Sequence, residues 1–332
     1  MSRFIQLHIL TSYPPSNLNR DDTGRPKSAT VGGVARLRVS SQSLKRAWRT
    51  SDAFKAALDG HIGTRTKSLG VVVYEQLVQA GMAEKLARES ARQIAGQFGK
   101  IKDEKKTEGN QDLQIEQLAH FSPVERTAVD SLVATLAVEK RGPNDNELKL
   151  LRKDHAAVDI SLFGRMLAAS PAYNIEAAAQ VAHAFTVHAA KVEDDYFTAV
   201  DDLNKGDEDR GAGHVGQAGF GAGVFYLYVC INRELLDANL QGNATLRKQA
   251  VEALVHAIAK VSPTGKQNSF ASRAYASLVL AEKGDEQPRS LATAFVQPVK
   301  DGNTIADAVK ALVRKRAGME AMYGKCADDF SV

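Results

Sequence analysis

Cysteine is nearly absent: only Cys230 and Cys326 occur in 332 residues, far apart and outside any C-x-x-C pair. That excludes a disulfide framework and a zinc site built on such pairs. Aromatics are scarce at 6%, and no base-stacking motif of the RNP1 kind is present, so the chain offers no ordinary aromatic platform for nucleic acid. No apolar run approaches the roughly 18 residues of a membrane span. The opening MSRFIQLHILTSYPP is broken by Gln6 and His8 and lacks a small-residue cleavage site, so it does not read as a signal peptide. The expected compartment is the cytoplasm, with no membrane partner. The eight histidines form no H-E-x-x-H, and no nucleophile–base pair stands out. There is no internal repeat.

What is present is an ordinary apolar content of 44%, enough for a real core, and a mildly basic balance: net charge +4 and a pI near 8.9. The charge is unevenly placed. Through residue 50 the cations are Arg3, Arg20, Arg25, Lys27, Arg36, Arg38, Lys45, Arg46 and Arg49, against only Asp21 and Asp22, a local net of +7. Such a segment is a candidate phosphate-binding surface.

Residues 4–10 alternate as a strand, with Ile5, Leu7 and Ile9 on one side and Gln6 and His8 on the other. The stretch SYPPSNLNRDDTGRPKSATVGG reads as a long loop. A loop of that length inside a compact domain is usually functional or disordered. ARLRV at 35–39 alternates again, Ser40 and Ser41 suit an N-cap, and Leu44, Ala47 and Trp48 share the apolar face of the helix that follows. Gln42, Lys45 and Arg49 share another face. From about 60 to 190 alanine rises, and apolar residues recur at helical spacing through 72–98, 126–140 and 176–190, with a charged break at 100–112. Strands are expected at 224–231 and 274–281, and helices near 245–260 and 304–317. The fold class is therefore α+β, with sheet-forming ends flanking a helical middle.

The segment GAGHVG at 211–216 has the G-x-G-x-x-G spacing of a dinucleotide loop. That motif needs a preceding strand and a helix opening within it. Here polar loop precedes it, and more glycine and then VFYLYVC follow. The glycines fit better as the return arm of an extended hairpin whose outgoing arm is VEDDYFTAVDDL. SPTGKQ at 262–267 lacks the spacing of a P-loop; Lys266 is either a phosphate-facing turn residue or an ordinary surface one. Adjacent acids occur at Asp21–Asp22, Asp194–Asp195 and Asp201–Asp202. Paired acids can hold Mg²⁺ for phosphodiester hydrolysis, though such pairs in polar loops also serve as solvated turns. No cofactor or metal is expected. RLRVSSQSLKRAWR, with hydroxyls at a helix N-terminus and cations along the helix, fits a nucleic-acid backbone contact or a solvated basic helix.

Several segments together resemble the CasC family, the repeated backbone subunit of the type I-E CRISPR Cascade complex. They are SNLNRDD (16–22), RLRVSSQSLKRA (36–47), DISLFGRM (159–166), AHAF (182–185), DDYFTAVDDL (194–203) and GVFYLYVCIN (223–232), in the family's order. The resemblance implies a hand-shaped protein. Its palm is an RRM-like, ferredoxin-type sheet from 1–59, 181–189 and 224–332, its fingers a helical insertion at 60–180, and its thumb an extended hairpin at 190–223. It further implies a non-catalytic subunit that multimerises as a filament along crRNA and displaces bases at regular intervals, so that the guide pairs with target DNA. The implied partners are crRNA, target DNA, further copies of the chain and the other Cascade subunits: the large, small, 5′-handle-binding and crRNA-processing endonuclease subunits. Carried over by position, Arg20, Lys27, Ser40, Gln42, Lys45 and Arg49 match family contacts to the crRNA backbone. Met166 matches a wedge beside the kink, a role suited to a flexible, polarizable side chain. Phe197 and Thr198 match thumb residues at the displaced base, and Lys266 a further RNA contact. Two alternatives stand beside this reading: a metal-dependent ribonuclease using Asp21 or Asp22, and a scaffold that never touches nucleic acid.

Overall fold

The structure is a computed structural model, and it describes residues 2–103, 108–199, 214–300, 302 and 304–331. The chain divides into two compact units, one of Met1–Phe54, Gln180–Asn232 and Glu252–Val332, the other of Lys55–Ala179 and Arg233–Val251. Helix and antiparallel sheet are both prominent, which is the α+β class expected.

The strands are β1 (Phe4–Ser16), β2 (Ser28–Val31), β3 (Val34–Val39), β4 (Thr64–Thr66), β5 (Ala119–Phe121), β6 (Ala179–Val181), β7 (Ala184–Thr186), β8 (Glu193–Ala199), β9 (His214–Asn232), β10 (Ala276–Gly284) and β11 (Asp329–Ser331). The helices are α1 (Ser41–Thr50), α2 (Asp52–Ala57), α3 (Leu69–Gln79), α4 (Glu84–Gly96), α5 (Pro123–Glu139), α6 (Val158–Phe163), α7 (Arg233–Asn239), α8 (Ala244–Lys260), α9 (Gln267–Phe270) and α10 (Thr304–Tyr323).

In the first unit the sheet runs β11-β10-β1-β9-β7-β3-β2, with β6 and β8 also pairing with β9. The two longest strands, β1 and β9, lie antiparallel side by side from Phe4↔Asn232 to Ser16↔Gly221. The alternation of residues 4–10 is that of a strand, but β1 is buried on both faces. Leu7 and Ile9 are buried on one side, and Gln6 and His8 on the other are no less buried. Burying polar groups is tolerated because each finds a partner. His8 Nδ1 lies 2.9 Å from the Tyr226 hydroxyl, and His8 Nε2 lies 3.1 Å from Glu282 Oε2. Arg289 donates to both Glu282 oxygens, at 2.6 and 3.0 Å, and Arg316 Nε to one at 2.8 Å. The Gln6 carbonyl accepts from the Tyr228 hydroxyl at 2.8 Å. Beside this network α10 packs its buried Ala308 and Leu312 with Leu10, Tyr226, Leu280, Leu291 and Phe295.

Arg36 also departs from the surface role its charge suggested. It is fully buried in β3, where its guanidinium donates to Thr186 O at 2.9 Å and Phe295 O at 3.0 Å. It is a structural clamp and drops out of the basic surface.

The segment 176–190, expected as a helix, instead holds β6 and β7. Its alanines favour helix locally, but β7 is wedged between β3 and β9, pairing Arg38↔Phe185 and Phe185↔Tyr226. Ladder pairing in the sheet overrides that weak preference. The glycine run is strand, as the hairpin reading required: His214–Asn232 is continuous, and its glycines sit where other groups press in. A Cβ on Gly223 would come within 2.6 Å of the His188 ring, and one on Gly221 within 2.6 Å of the Leu37 side chain. Gly211 and Gly213 lie outside the described residues.

The second unit is mainly helical. The periodicity through 72–98 resolves into two helices, α3 and α4, because Gly81 at φ 79° ends the first. Gly81 N donates to Val78 O at 2.8 Å and Met82 N to Leu77 O at 3.0 Å, the paired bonds of a glycine-terminated helix end. Helix α5 opens on a capping box: Ser122 Oγ accepts from Glu125 N at 3.2 Å, and Glu125 Oε2 accepts from Ser122 N at 2.9 Å. Leu69, Val73, Leu77, Ile94, Phe98, Phe121, Val129 and Leu136 form the core of this unit.

Candidate nucleic-acid interface

Helix α1 is built as its sequence demands. Ser40 sits at the N-cap with φ −70° and ψ 146°, and its hydroxyl accepts from Ser43 N at 3.3 Å. Leu44, Ala47 and Trp48 are buried, while Gln42 and Arg46 are exposed and Lys45 and Arg49 half-buried. The cap leaves fewer open N–H groups than the sequence suggested. Ser40 is itself buried, and Ser41 N–H is taken by His183 Nδ1 at 3.1 Å. An anion approaching this helix would therefore meet side-chain cations more than open backbone N–H groups.

His183 is the organising group that sequence reasoning missed. Its Nδ1 receives the Ser41 N–H and also Arg38 Nη1 at 3.1 Å. Both partners can only donate, so Nδ1 is the acceptor and the proton sits on Nε2. Partial burial holds the imidazole below its usual pKa, and Arg38, Lys27 and Lys45 push it the same way. One neutral ring thus lies among three cations drawn from the long loop, the end of β3 and α1. The clue in the sequence was AHAF, whose histidine falls between two strands that composition had disguised as helix.

The long loop is pinned by its asparagines. Asn17 Nδ2 donates to Gly24 O at 3.0 Å and to Gly219 O at 2.8 Å. Asn19 Oδ1 accepts from Ser40 N at 2.9 Å. Lys27 N donates to Asn19 O, and Arg38 N to Lys27 O, each at 2.8 Å, which holds Lys27 beside Arg38. Asp21 Oδ1 accepts from Thr23 N, Thr23 Oγ1 and Arg25 N at 2.9, 2.7 and 3.0 Å. These bonds hold its carboxyl below the usual range, the Thr23 hydroxyl foremost. Asp21 is a turn-forming acid. Arg25 reaches across to Asp194 on β8 at 2.9 Å.

Arg20 is exposed at the wall of a polar groove, and Lys266 is exposed at the turn before α9, next to Gly265 on that wall. On the hairpin, Phe197 pairs with Gly216 and Thr198 with Val215. The Phe197 ring, 43% exposed, occupies the space a side chain at 216 would fill. Thr198 is exposed. Asp201 and Asp202 lie outside the described residues.

Met166 belongs to the second unit. Gly164, at φ 81°, ends α6, and the next residue is a buried anchor: Arg165 Nη1 donates to Glu125 Oε2 at 2.7 Å. Met166 follows directly and is 74% exposed, beside an apolar cavity of about 320 Å³ lined also by Phe98, Ile115, Leu118 and Leu167.

The fold defines a class, that of the subunits of RNA-guided surveillance complexes. A solved structure described as "CRISPR RNA-guided surveillance complex, pre-nicking" is 34% identical, with a TM-score of 0.84, and the match covers 98% of this chain and 90% of that one. A second, described as "CRISPR RNA-guided surveillance complex", is 28% identical, with a TM-score of 0.61 and coverage of 98% and 86%. Residues 5–331 match the family described as CT1975-like protein, and the chain belongs to that family. No curated protein matches. The CasC-type resemblance read from the sequence is borne out.

Proposed function

We propose that the protein is a non-catalytic backbone subunit of a type I-E Cascade-like complex. In it, copies of the chain assemble along a crRNA, grip its phosphates and leave most guide bases free for target DNA. The first unit serves as palm, the β8–β9 hairpin as thumb and the second unit as fingers. Arg20, Lys27, Ser40, Gln42, Lys45, Arg49 and Lys266 hold the backbone; Met166, Phe197 and Thr198 act at the displaced base. Target DNA, the large and small subunits, the 5′-handle-binding subunit and the processing endonuclease are the remaining partners, in the cytoplasm. No helix among the described residues is long and apolar enough to cross a membrane.

The observation that carries this reading is the gathering of Lys27, Arg38 and Lys45 around a neutral His183. Cations gathered this closely raise the local positive potential, which a polyanion relieves. The ring adds an Nε2–H donor without adding charge. Sequence is then read by guide pairing rather than by the protein, as in other RNA-guided systems. The scarcity of aromatics suits this division, since backbone contacts position without specifying.

The test is to purify the protein without nuclease treatment and follow the 260/280 nm ratio across size exclusion. Large, high-ratio particles that collapse to a low-ratio monomer after RNase support the reading. If each protomer neutralises about five phosphates of single-stranded RNA, the log–log salt slope is about −3 to −4 per protomer. A clean monomer that ignores added single-stranded RNA at low salt overturns it. Mg²⁺-dependent cutting of RNA paired to the guide would turn the reading toward a ribonuclease.

A further inference from the structure

Helix α1 has a second polar edge that the resemblance leaves unused. Gln42, Lys45 and Arg49 form one edge; Ser43, Arg46 and Thr50, one residue on and so about 100° around the helix, form another. The second edge walls a groove of about 410 Å³, completed by Arg20 in the long loop and by Thr264 and Gly265 in the turn before α9. All of these residues belong to the first unit.

We infer that this groove is a phosphodiester subsite for single-stranded RNA, with Arg20 and Arg46 as its cationic arms. The inference rests on the RNA-binding reading above, shares Arg20 with it, and extends it to Ser43, Arg46 and Thr264, which that reading does not use. Among the described residues neither guanidinium has a hydrogen-bond or ion-pair partner. The one acid on the wall, Asp21, turns an oxygen into its own loop, taking Thr23 N, Thr23 Oγ1 and Arg25 N rather than either arginine. Thr50 spends its hydroxyl hydrogen on Arg46 O at 2.8 Å. The side-chain donors left to a ligand are two guanidinia, the Asn19 amide NH2 and the hydroxyls of Ser43 and Thr264. A donor set with two cations and a committed carboxylate selects an anion, and guanidinium matches phosphate by bidentate geometry. The volume lies in the range of small-ligand sites, ample for one phosphodiester and its flanking sugars.

The groove's width is fixed by contact, not by charge. A Cβ on Gly265 would collide with the Leu18 carbonyl oxygen and lie 2.6 Å from Asn17 O. Both are backbone atoms that cannot rotate away, so Gly265→Ala must shift one wall while leaving every charge in place.

The experiment is fluorescence anisotropy with a labelled mixed-sequence oligoribonucleotide, and with its DNA counterpart, over a KCl series. It compares the full chain with Arg46→Ala, Arg46→Lys, Gly265→Ala and Lys45→Ala. Arg46 is exposed, so unchanged thermal unfolding is expected for both of its variants. Expected for Arg46→Ala are roughly tenfold weaker RNA binding and a salt slope shallower by about 0.7, one phosphate contact. Arg46→Lys restores the slope but not the full affinity, because the bidentate fork is lost. Gly265→Ala weakens binding with its charges intact. If Lys45→Ala weakens RNA binding while Arg46→Ala and Gly265→Ala match the parent within twofold, the subsite is refuted and the RNA-binding reading stands. A loss confined to the DNA probe refutes the RNA assignment. If the parent itself binds no RNA at low salt, the functional reading fails first and the subsite with it.

Discussion

Arg36 and Arg38 stand two residues apart on the same face of β3, yet they should fail in opposite ways. The Arg36 guanidinium is fully buried, held by Thr186 O at 2.9 Å and Phe295 O at 3.0 Å, and burial lowers its pKa. Arg36→Met leaves two buried carbonyls without a donor, at about 1–3 kcal/mol each. Part is recovered because a charge need no longer be desolvated, so the expected net loss of stability is about 2–4 kcal/mol. Arg38 is half-buried, and its hydrogen bond to His183 is exposed. Arg38→Met should cost no more than about 0.5–1 kcal/mol of stability. It should instead weaken RNA binding several-fold and flatten the salt slope by about 0.7. Urea unfolding and RNA anisotropy on both variants make the comparison. The reasoning is refuted if Arg36→Met unfolds within about 0.5 kcal/mol of the parent. It is equally refuted if Arg38→Met destabilises the fold as much as Arg36→Met while leaving RNA affinity untouched.

Three further outcomes are expected. Glu282→Gln strips the counter-charge from Arg289 and Arg316 inside the sheet-covering network, and should cost about 3–5 kcal/mol in urea unfolding; a loss under 1 kcal/mol would discount the network. His155 is buried, its Nδ1 accepts from Ala157 N at 3.0 Å, and burial, then nearby Arg165, pushes its pKa down to about 4. The unfolded chain takes up that proton near pH 6.5 and the folded chain does not, so stability should fall as pH drops from about 6.5 to 4, by up to about 3 kcal/mol. His155→Asn, which keeps an acceptor for Ala157 N–H, should flatten that part of the pH profile in a urea series, and an unchanged profile would remove His155 as the cause. Gly216→Val should evict the Phe197 ring from its seat on β9. Chemical probing of the bound guide should then show altered base displacement at an unchanged unfolding midpoint, whereas an unaltered pattern would separate Phe197 from that role.

Much of the fold was legible because local patterns and tertiary structure agree. The alternation of residues 4–10 and 35–39, the Ser40 cap with its apolar triad Leu44, Ala47 and Trp48, and the hairpin reading of the glycine run all carry local signals. Where pattern and environment part, reading along the chain fails. EAAAQVAHAF has helical composition, yet it lies in a sheet because β3 and β9 supply ladder partners on either side of β7. Gln6 and His8 read as the polar face of a half-exposed strand, but α10 and the Glu282 network lie more than 270 residues away along the chain.

The sequence by itself determined that the chain is α+β, that its N-terminal sixth is basic, and that its glycine-rich run is no nucleotide loop. Each of these depends on composition or on spacing within one element. Only the tertiary structure decided where each cation is placed. Arg36 is consumed by backbone carbonyls and Arg25 is matched by Asp194. Lys27, Arg38 and Lys45 are drawn around His183, and Arg20 meets Arg46 across a groove. Charge is a property of a residue, but whether it faces protein or partner depends on what the rest of the chain packs against it. That packing is made by contacts distant in sequence, which no local pattern encodes.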